Sequence, residues 1–461
     1  MKLMACVLTL LLSLSVVGSV TATDVLTLDD CIELALQNRA SIIAARGRES
    51  LAGATKRAAL GAFLPRLNAS YSYSKSKTTD REPDVPYLDS LVPYRDSMEV
   101  AGEYIPYIGF TPVTHLGAPP DQDHTSKSLG LSADMSLFNL SNWFNLAGAK
   151  ADQAKAHLDV LGSEQDLIKS VKVSYYFYLA AVENITVQEQ AVARSEEQLK
   201  LINSKYELGS ASMSDVLKQK VQFGNDRLTL LTAENDVTSS RAKLAYTVGL
   251  DPNGDYEFSG EYTVREYSGS LQEAMAYGME HKPSLLSARK SVDASQHALR
   301  SRKAAYLPTI SGNASLQYSD GTLTDTATYN SSYRSTTFGF NINLPIFDGF
   351  NREYNLTRAK INLNNARAGL ADERNFACQR IKTAYLDIER LKEKKKVSQE
   401  TVEAANEDLK ITQEKYNLGA ATILDLLDAQ VSLKQAQVLL IQADFDLNLA
   451  IAELENAMGK M

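Results

Sequence analysis

Two short stretches of the chain place carboxylates where they could do chemistry. YELGSASMSDVL begins at Tyr206 and YNLGAATILDLL at Tyr416; they share six of twelve residues and lie 210 positions apart. Each pairs a glycine with an S/T-x-x-D sequence: Gly209 with Ser212 and Asp215, Gly419 with Thr422 and Asp425. Glycine ends a helix by entering the left-handed backbone region without a Cβ penalty, and S/T-x-x-[DE] opens the next helix. Each stretch therefore predicts the tip of a helical hairpin. Capping explains Asp215 and Asp425 but leaves Asp428, three residues beyond Asp425 on the same helix face. The helix dipole favours both carboxylates of the second tip.

Other chemistry is excluded more easily. The five histidines, His115, His124, His157, His281 and His297, include no pair at metal-ligand spacing and no His-centred nucleophile arrangement. Neither G-x-x-x-x-G-K-[ST] nor G-x-G-x-x-G occurs, so the expectation is no enzyme, no cofactor and no nucleotide-driven work by this chain. A net charge of -8 with no long basic run argues against a nucleic-acid partner. Residues 1–22 read as a secretory signal peptide: Lys2, an apolar run from Leu3 to Val17, then small residues. Cys31 and Cys378 remain after it, too few for a disulfide framework.

The elements that must position the two tips are repeated as well. TLDDCIELALQNRASIIAAR from Thr27 matches SLQEAMAYGMEHKPSLLSAR from Ser270, and Leu64-Pro65 matches Leu307-Pro308. The first repeat is assigned 23–250, a linker 251–269 and the second repeat 270–461. Each opens on a helical segment, Leu28 to about Gly61 and Leu271 to about Ala305, stopped by the proline. Period-two strands follow: Tyr71/Tyr73 opposite Leu129–Leu137 in the first half, Ile310–Tyr318 and Phe338–Leu344 in the second. The first half carries an enlarged loop within 75–127, rich in Tyr, Pro and Asp. Long helical tracts come last. Residues Leu370–Leu418 lack glycine and proline, 49 residues or about 70 Å if helical.

Leu426, Leu433, Leu440, Leu447 and Leu454 recur every seven residues, with Ala429, Ala436, Ala443, Ala450 and Ala457 as companions. A strict heptad implies left-handed supercoiling against a partner helix. The first-half counterpart, Val216 to Leu244, is looser and places Gln219 and Asp226 at companion positions. The strands are long enough to cross a bilayer at a tilt. A sheet in hydrocarbon must close, and four strands are too few, so several chains would have to pool theirs. A small soluble sheet on a helical body satisfies the same pattern.

The duplicated YxLGxAxxxDxL element, the paired Leu-Pro, the four strands and the helices ending near Gly249 and Gly459 together resemble the TolC-like outer-membrane efflux proteins. The resemblance covers essentially all of the chain after the signal peptide. It implies an α+β membrane protein of the outer membrane that extends into the periplasm. Four transmembrane β-strands per chain would form a 12-stranded barrel in a homotrimer, continued by a periplasmic α-helical coiled-coil barrel. It further implies rings of Asp425 and Asp428 lining the tip constriction, where like charges favour cations and a divalent cation could block the passage. A latch between Tyr416 and Asp215 would close the tips; Tyr206 would be only a packing or helix-end residue. Ala421 stands where family members carry an arginine that adds to the latch, which implies a weaker closure. Partners implied are a periplasmic adaptor, an inner-membrane transporter of RND, ABC or MFS type, and outer-membrane lipid. The expected function is an exit duct for efflux or secretion. The alternative is a coiled-coil adaptor or structural tether without a pore.

Overall fold

A computed structural model describes residues 25–78, 87–115, 122–260, 267–324 and 328–460; the expected signal peptide lies outside them. The first half contains helices α1 (Leu28–Asn38) and α2 (Ala40–Gly61), then strands β1 (Arg66–Thr78), β2 (Tyr87–Val100), β3 (Glu103–His115) and β4 (Gln122–Phe138). Helices α3 (Leu140–Glu207) and α4 (Met213–Val248) complete it. The second half runs α5 (Leu271–His281), α6 (Pro283–Ala304), β5 (Thr309–Thr324), β6 (Thr328–Asn343), α7 (Asn351–Asn417) and α8 (Ile423–Met458). Helix lengths match half for half: 11 and 11, 22 and 22, 68 and 67, 36 and 36 residues.

Two expectations are corrected. Each leading helical segment is two helices, because Arg39 and Lys282 are extended (ψ 126 and 119) and interrupt it. Pro283 explains the second break, since a residue preceding proline is pushed out of the helical region. At the first-half break no proline is present, since Arg39 is followed by Ala40. There Arg39 itself holds the break, its Nη1 donating to the Tyr246 carbonyl at 2.9 Å while its guanidinium lies 4.7 Å over the Tyr246 ring. The strand number also differs: among the described residues there are six. Part of the enlarged first-half loop folds into an antiparallel β2–β3 ribbon whose turn places Ala101 and Gly102 at positive φ (58° and 90°). Consecutive positive φ values give a hairpin turn whose twist matches that of its strands.

The other four strands form one antiparallel sheet in the order β1-β4-β5-β6. Its register decides which residues share a face. Tyr71 stands opposite Leu129, Leu129 opposite Tyr318, Ala314 opposite Phe338 and Gly312 opposite Phe340. One face thus carries Leu67, Tyr71, Leu129, Leu131, Phe338 and Ile342, all exposed, with Phe338 at 80%. The reverse face carries Asn68, Ser72, Ser128, Ser132, Ser315 and Thr337, again in register. β1 and β6 are the two edges of the sheet.

The chain divides into two compact units whose boundaries fall inside α2, α3, α6 and α7, so each half contributes to both. The unit holding the sheet comprises Arg57–Leu146 and Arg300–Leu356. Within it Trp143 meets Phe63 edge to face at 5.1 Å between centroids, yet remains 60% exposed. The other unit is helical, and two of its apolar clusters lie away from the hairpin tips. One gathers Cys31, Ile42, Val171, Tyr175, Leu244 and Phe258; the other gathers Ile381, Ile388, Leu447, Ile451 and Leu454. Burial in the first pushes the Cys31 thiol up to about 12; Cys31 and Cys378 are both free. Of the ten heptad positions on α8, all but the half-buried Leu440 and Ala450 are buried.

Candidate functional site: the paired hairpin tips

Both tips are built alike. Gly209 and Gly419 take φ values of 74° and 72°, and Ser210 and Ala420 donate back to the Lys205 and Lys415 carbonyls, each at 2.8 Å. These bonds satisfy carbonyls that a helix end otherwise leaves unpaired. A reciprocal capping box then opens each outgoing helix. Asp215 N donates to Ser212 Oγ at 3.2 Å while Asp215 Oδ2 accepts from Ser212 N and Oγ at 3.2 and 2.8 Å. Thr422 and Asp425 repeat it at 3.3, 2.8 and 2.7 Å. The backbone hydrogen bond from Thr422, then that from its side chain, hold the Asp425 carboxyl below the usual carboxylate range.

An apolar cluster joins the two tips. Ile202 and Val216 from the first hairpin pack with Ile423 and Leu426 from the second, and Tyr416 and Leu427 lie against them. Asp425 and Asp428 are exposed on the first turns of α8. Asp428 makes no hydrogen bond among the described residues, so capping does not account for it.

Tyr416 is half-buried, and its hydroxyl is pushed up first by burial and then by the charge of Asp215. The fold therefore brings these two residues from different hairpins together electrostatically. No hydrogen bond joins them; the Asp215 carboxylate is engaged by Ser212. Tyr206, the counterpart in the first tip, is 45% exposed. The ring of Tyr416 instead meets a residue that sequence reasoning missed: Lys205 Nζ lies 4.5 Å from its centroid. A cation over an aromatic face is attracted by the ring quadrupole. The signal was available, because the repeat begins one residue earlier than the tyrosine, as KYELG from Lys205 and KYNLG from Lys415.

Above the tips the helices are tied by buried polar groups. Asp226 of α4 accepts from Lys434 of α8 at 2.8 Å, with side-chain exposures of only 5% and 18%. Gln219 is fully buried and donates to the Ser195 carbonyl of α3 at 3.0 Å. These are the two residues that loosen the first-half heptad. The Asp226 carboxylate and the Gln219 amide nitrogen find partners on neighbouring helices, while Gln219 Oε1 is buried without one among the described residues.

Comparison with known proteins follows this geometry. The model of the family described as outer membrane efflux protein matches residues 31–250 and 279–460. The outer membrane protein TolC of Vibrio cholerae serotype O1 is 24% identical over 413 residues, covering 86% of this chain and 91% of that one. The outer membrane efflux protein BepC of Brucella suis biovar 1 is 23% identical over 364 residues, covering 79% and 77%. Among solved structures, the outer membrane protein VceC of Vibrio cholerae aligns with a TM-score of 0.74 at 20% identity, covering 94% of this chain and 96% of that one. With its hairpin tips, sheet and matched halves so arranged, the chain belongs to the outer membrane efflux protein family.

Proposed function

We propose that three copies of this internally duplicated chain form an outer-membrane channel that serves as the exit duct for efflux or secretion. The observation that carries this is the four-stranded sheet. It exposes an apolar face, carries mostly serine, asparagine, glutamine and threonine on its reverse face, and ends in two edges. In water such an apolar face is a liability; in a bilayer it meets lipid while the polar face lines water. The edges fit the same reading. Because every neighbouring pair is antiparallel, β6 of one copy would run antiparallel to β1 of the next, and rotation closes a ring without unpaired backbone. Twelve strands then line the passage, and the long helices continue it as a coiled-coil duct into the periplasm.

The α4 surface supports the same assembly. Met213, Leu217 and Val221 form an exposed apolar stripe bordering a groove of about 690 Å³ that Leu427 also lines. A neighbouring copy would cover it. At the tips, three sets of Asp425 and Asp428 would ring the entrance, disfavouring anions and admitting cations. The Tyr416 and Asp215 pair, with Lys205, would hold the hairpins closed. Opening would come from a periplasmic adaptor coupled to an inner-membrane transporter of the RND, ABC or MFS type, which supplies the energy. Cell fractionation and bilayer recording test the reading: heat-modifiable trimers in the outer membrane that conduct ions support it, and a soluble, non-conducting monomer refutes it.

A further inference from the structure

On the exposed apolar face of the sheet, the side chains change character along the strands. From Ile310 to Tyr318 on β5, nine residues or about 27 Å along the strand, the outward positions are apolar or small. Tyr71, Tyr73 and Tyr318 bound this band at the strand ends remote from the helices. In the tyrosine rows and beyond them the same face is charged. Lys127 stands opposite Tyr73 and Asp320, Arg334 stands opposite Tyr318, and Lys77 stands opposite Asp123. With Lys75, four cations face two carboxylates, Asp123 and Asp320, among the described residues of this rim.

The carboxylates leave an excess. Lys75 lies 3.5 Å from Asp123 and is exposed. Lys127 and Arg334 are exposed and make no ion pair or hydrogen bond among the described residues. They sit on strands two apart, with Cα atoms about 12 Å from each other by strand spacing and rise. If the apolar band lies in hydrocarbon, the next outward positions lie at headgroup depth, and the tyrosines mark the boundary between them. A surplus of cations there meets the phosphate layer of the outer leaflet.

We propose that Lys127 and Arg334, assisted by Lys75, bind the phosphate groups of an anionic glycolipid in the outer leaflet. The site rests on the outer-membrane reading given above and extends it to a particular lipid chemistry. Both side chains are long enough to reach a headgroup phosphate while their stems cover apolar surface.

The test uses the purified full chain, reconstituted into phosphatidylcholine vesicles containing bis-phosphorylated lipid A or, in parallel, dephosphorylated lipid A. Native mass spectrometry then counts the lipid retained on the extracted protein. The wild type is expected to retain the phosphorylated form preferentially. The double variant K127Q/R334Q is expected to lose that preference by about fivefold for each charge removed, and the charge-preserving K127R/R334K to keep it. A wild type that inserts and conducts yet retains both lipids equally overturns the proposal and leaves the channel standing. An unchanged K127Q/R334Q variant overturns it too. A wild type that inserts into neither vesicle removes the membrane reading and this site together. The comparison of the two lipids on the wild type needs no variant, so misfolding of one does not decide it.

Discussion

If the proposed latch closes the tips, removing the cation that spans the two hairpins should loosen them. Lys205 Nζ lies 4.5 Å from the Tyr416 ring centroid, and the ring is half-buried against Ile202, Val216, Ile423 and Leu426. Such a contact contributes between the exposed and desolvated limits, about 1 kcal/mol per chain. If three copies open together, Lys205→Met shifts the open-to-closed ratio by about 3 kcal/mol, on the order of 150-fold. Tyr416→Phe keeps the ring and the cation and loses only the hydroxyl beside Asp215, so its effect should be smaller. Tyr416→Ala removes both and should open the tip most. Single-channel recording in planar bilayers reads conductance and open probability for all three. Gating in Lys205→Met indistinguishable from wild type, alongside an open Tyr416→Ala, would refute the cation's role and leave closure to apolar packing. An unchanged Tyr416→Phe would remove the hydroxyl from the latch.

Three further outcomes follow from the same geometry. Asp425→Asn with Asp428→Asn should weaken cation selectivity and divalent block, read as a shift of the reversal potential toward zero in a salt gradient. Lys434→Met removes the ion-pair partner of the buried Asp226 carboxylate and leaves it only the Gln222 amide donor, which should cost about 3 kcal/mol, read from thermal unfolding of the helical signal; a loss within 0.5 kcal/mol would contradict it. The Asp425 cap should be pH-sensitive. Its carboxyl is held below the ordinary aspartate range, so the stabilisation is present above that range and lost as pH falls through the lower folded value. Amide exchange at the start of α8 should rise over that interval; Thr422→Ala, which removes the hydroxyl but keeps the backbone donor, should reduce the pH dependence, and Asp425→Asn should abolish it.

Much of the architecture was legible because its determinants are local. The Gly209 and Gly419 turns and the Ser212 and Thr422 boxes depend on residues within a turn or two of one another and formed as the sequence implies, and most of the α8 heptad positions are buried. The Arg39 break did not announce itself, because its cause is a carbonyl 207 residues away on α4. The β2–β3 ribbon was obscured by composition: proline and aspartate disfavour strands, and pairing across the turn at Ala101-Gly102 overrides them.

The amino-acid sequence by itself determined the repeated units, the tips and the two-sided character of each strand, because periodicity and capping act over a few residues. Only the tertiary structure decided that Lys205 sits on Tyr416, that Asp226 pairs with Lys434, and that the cations beside Tyr73 and Tyr318 share one rim. Those groups belong to different hairpins or strands, and their meeting depends on helix packing and sheet register, which no local pattern encodes.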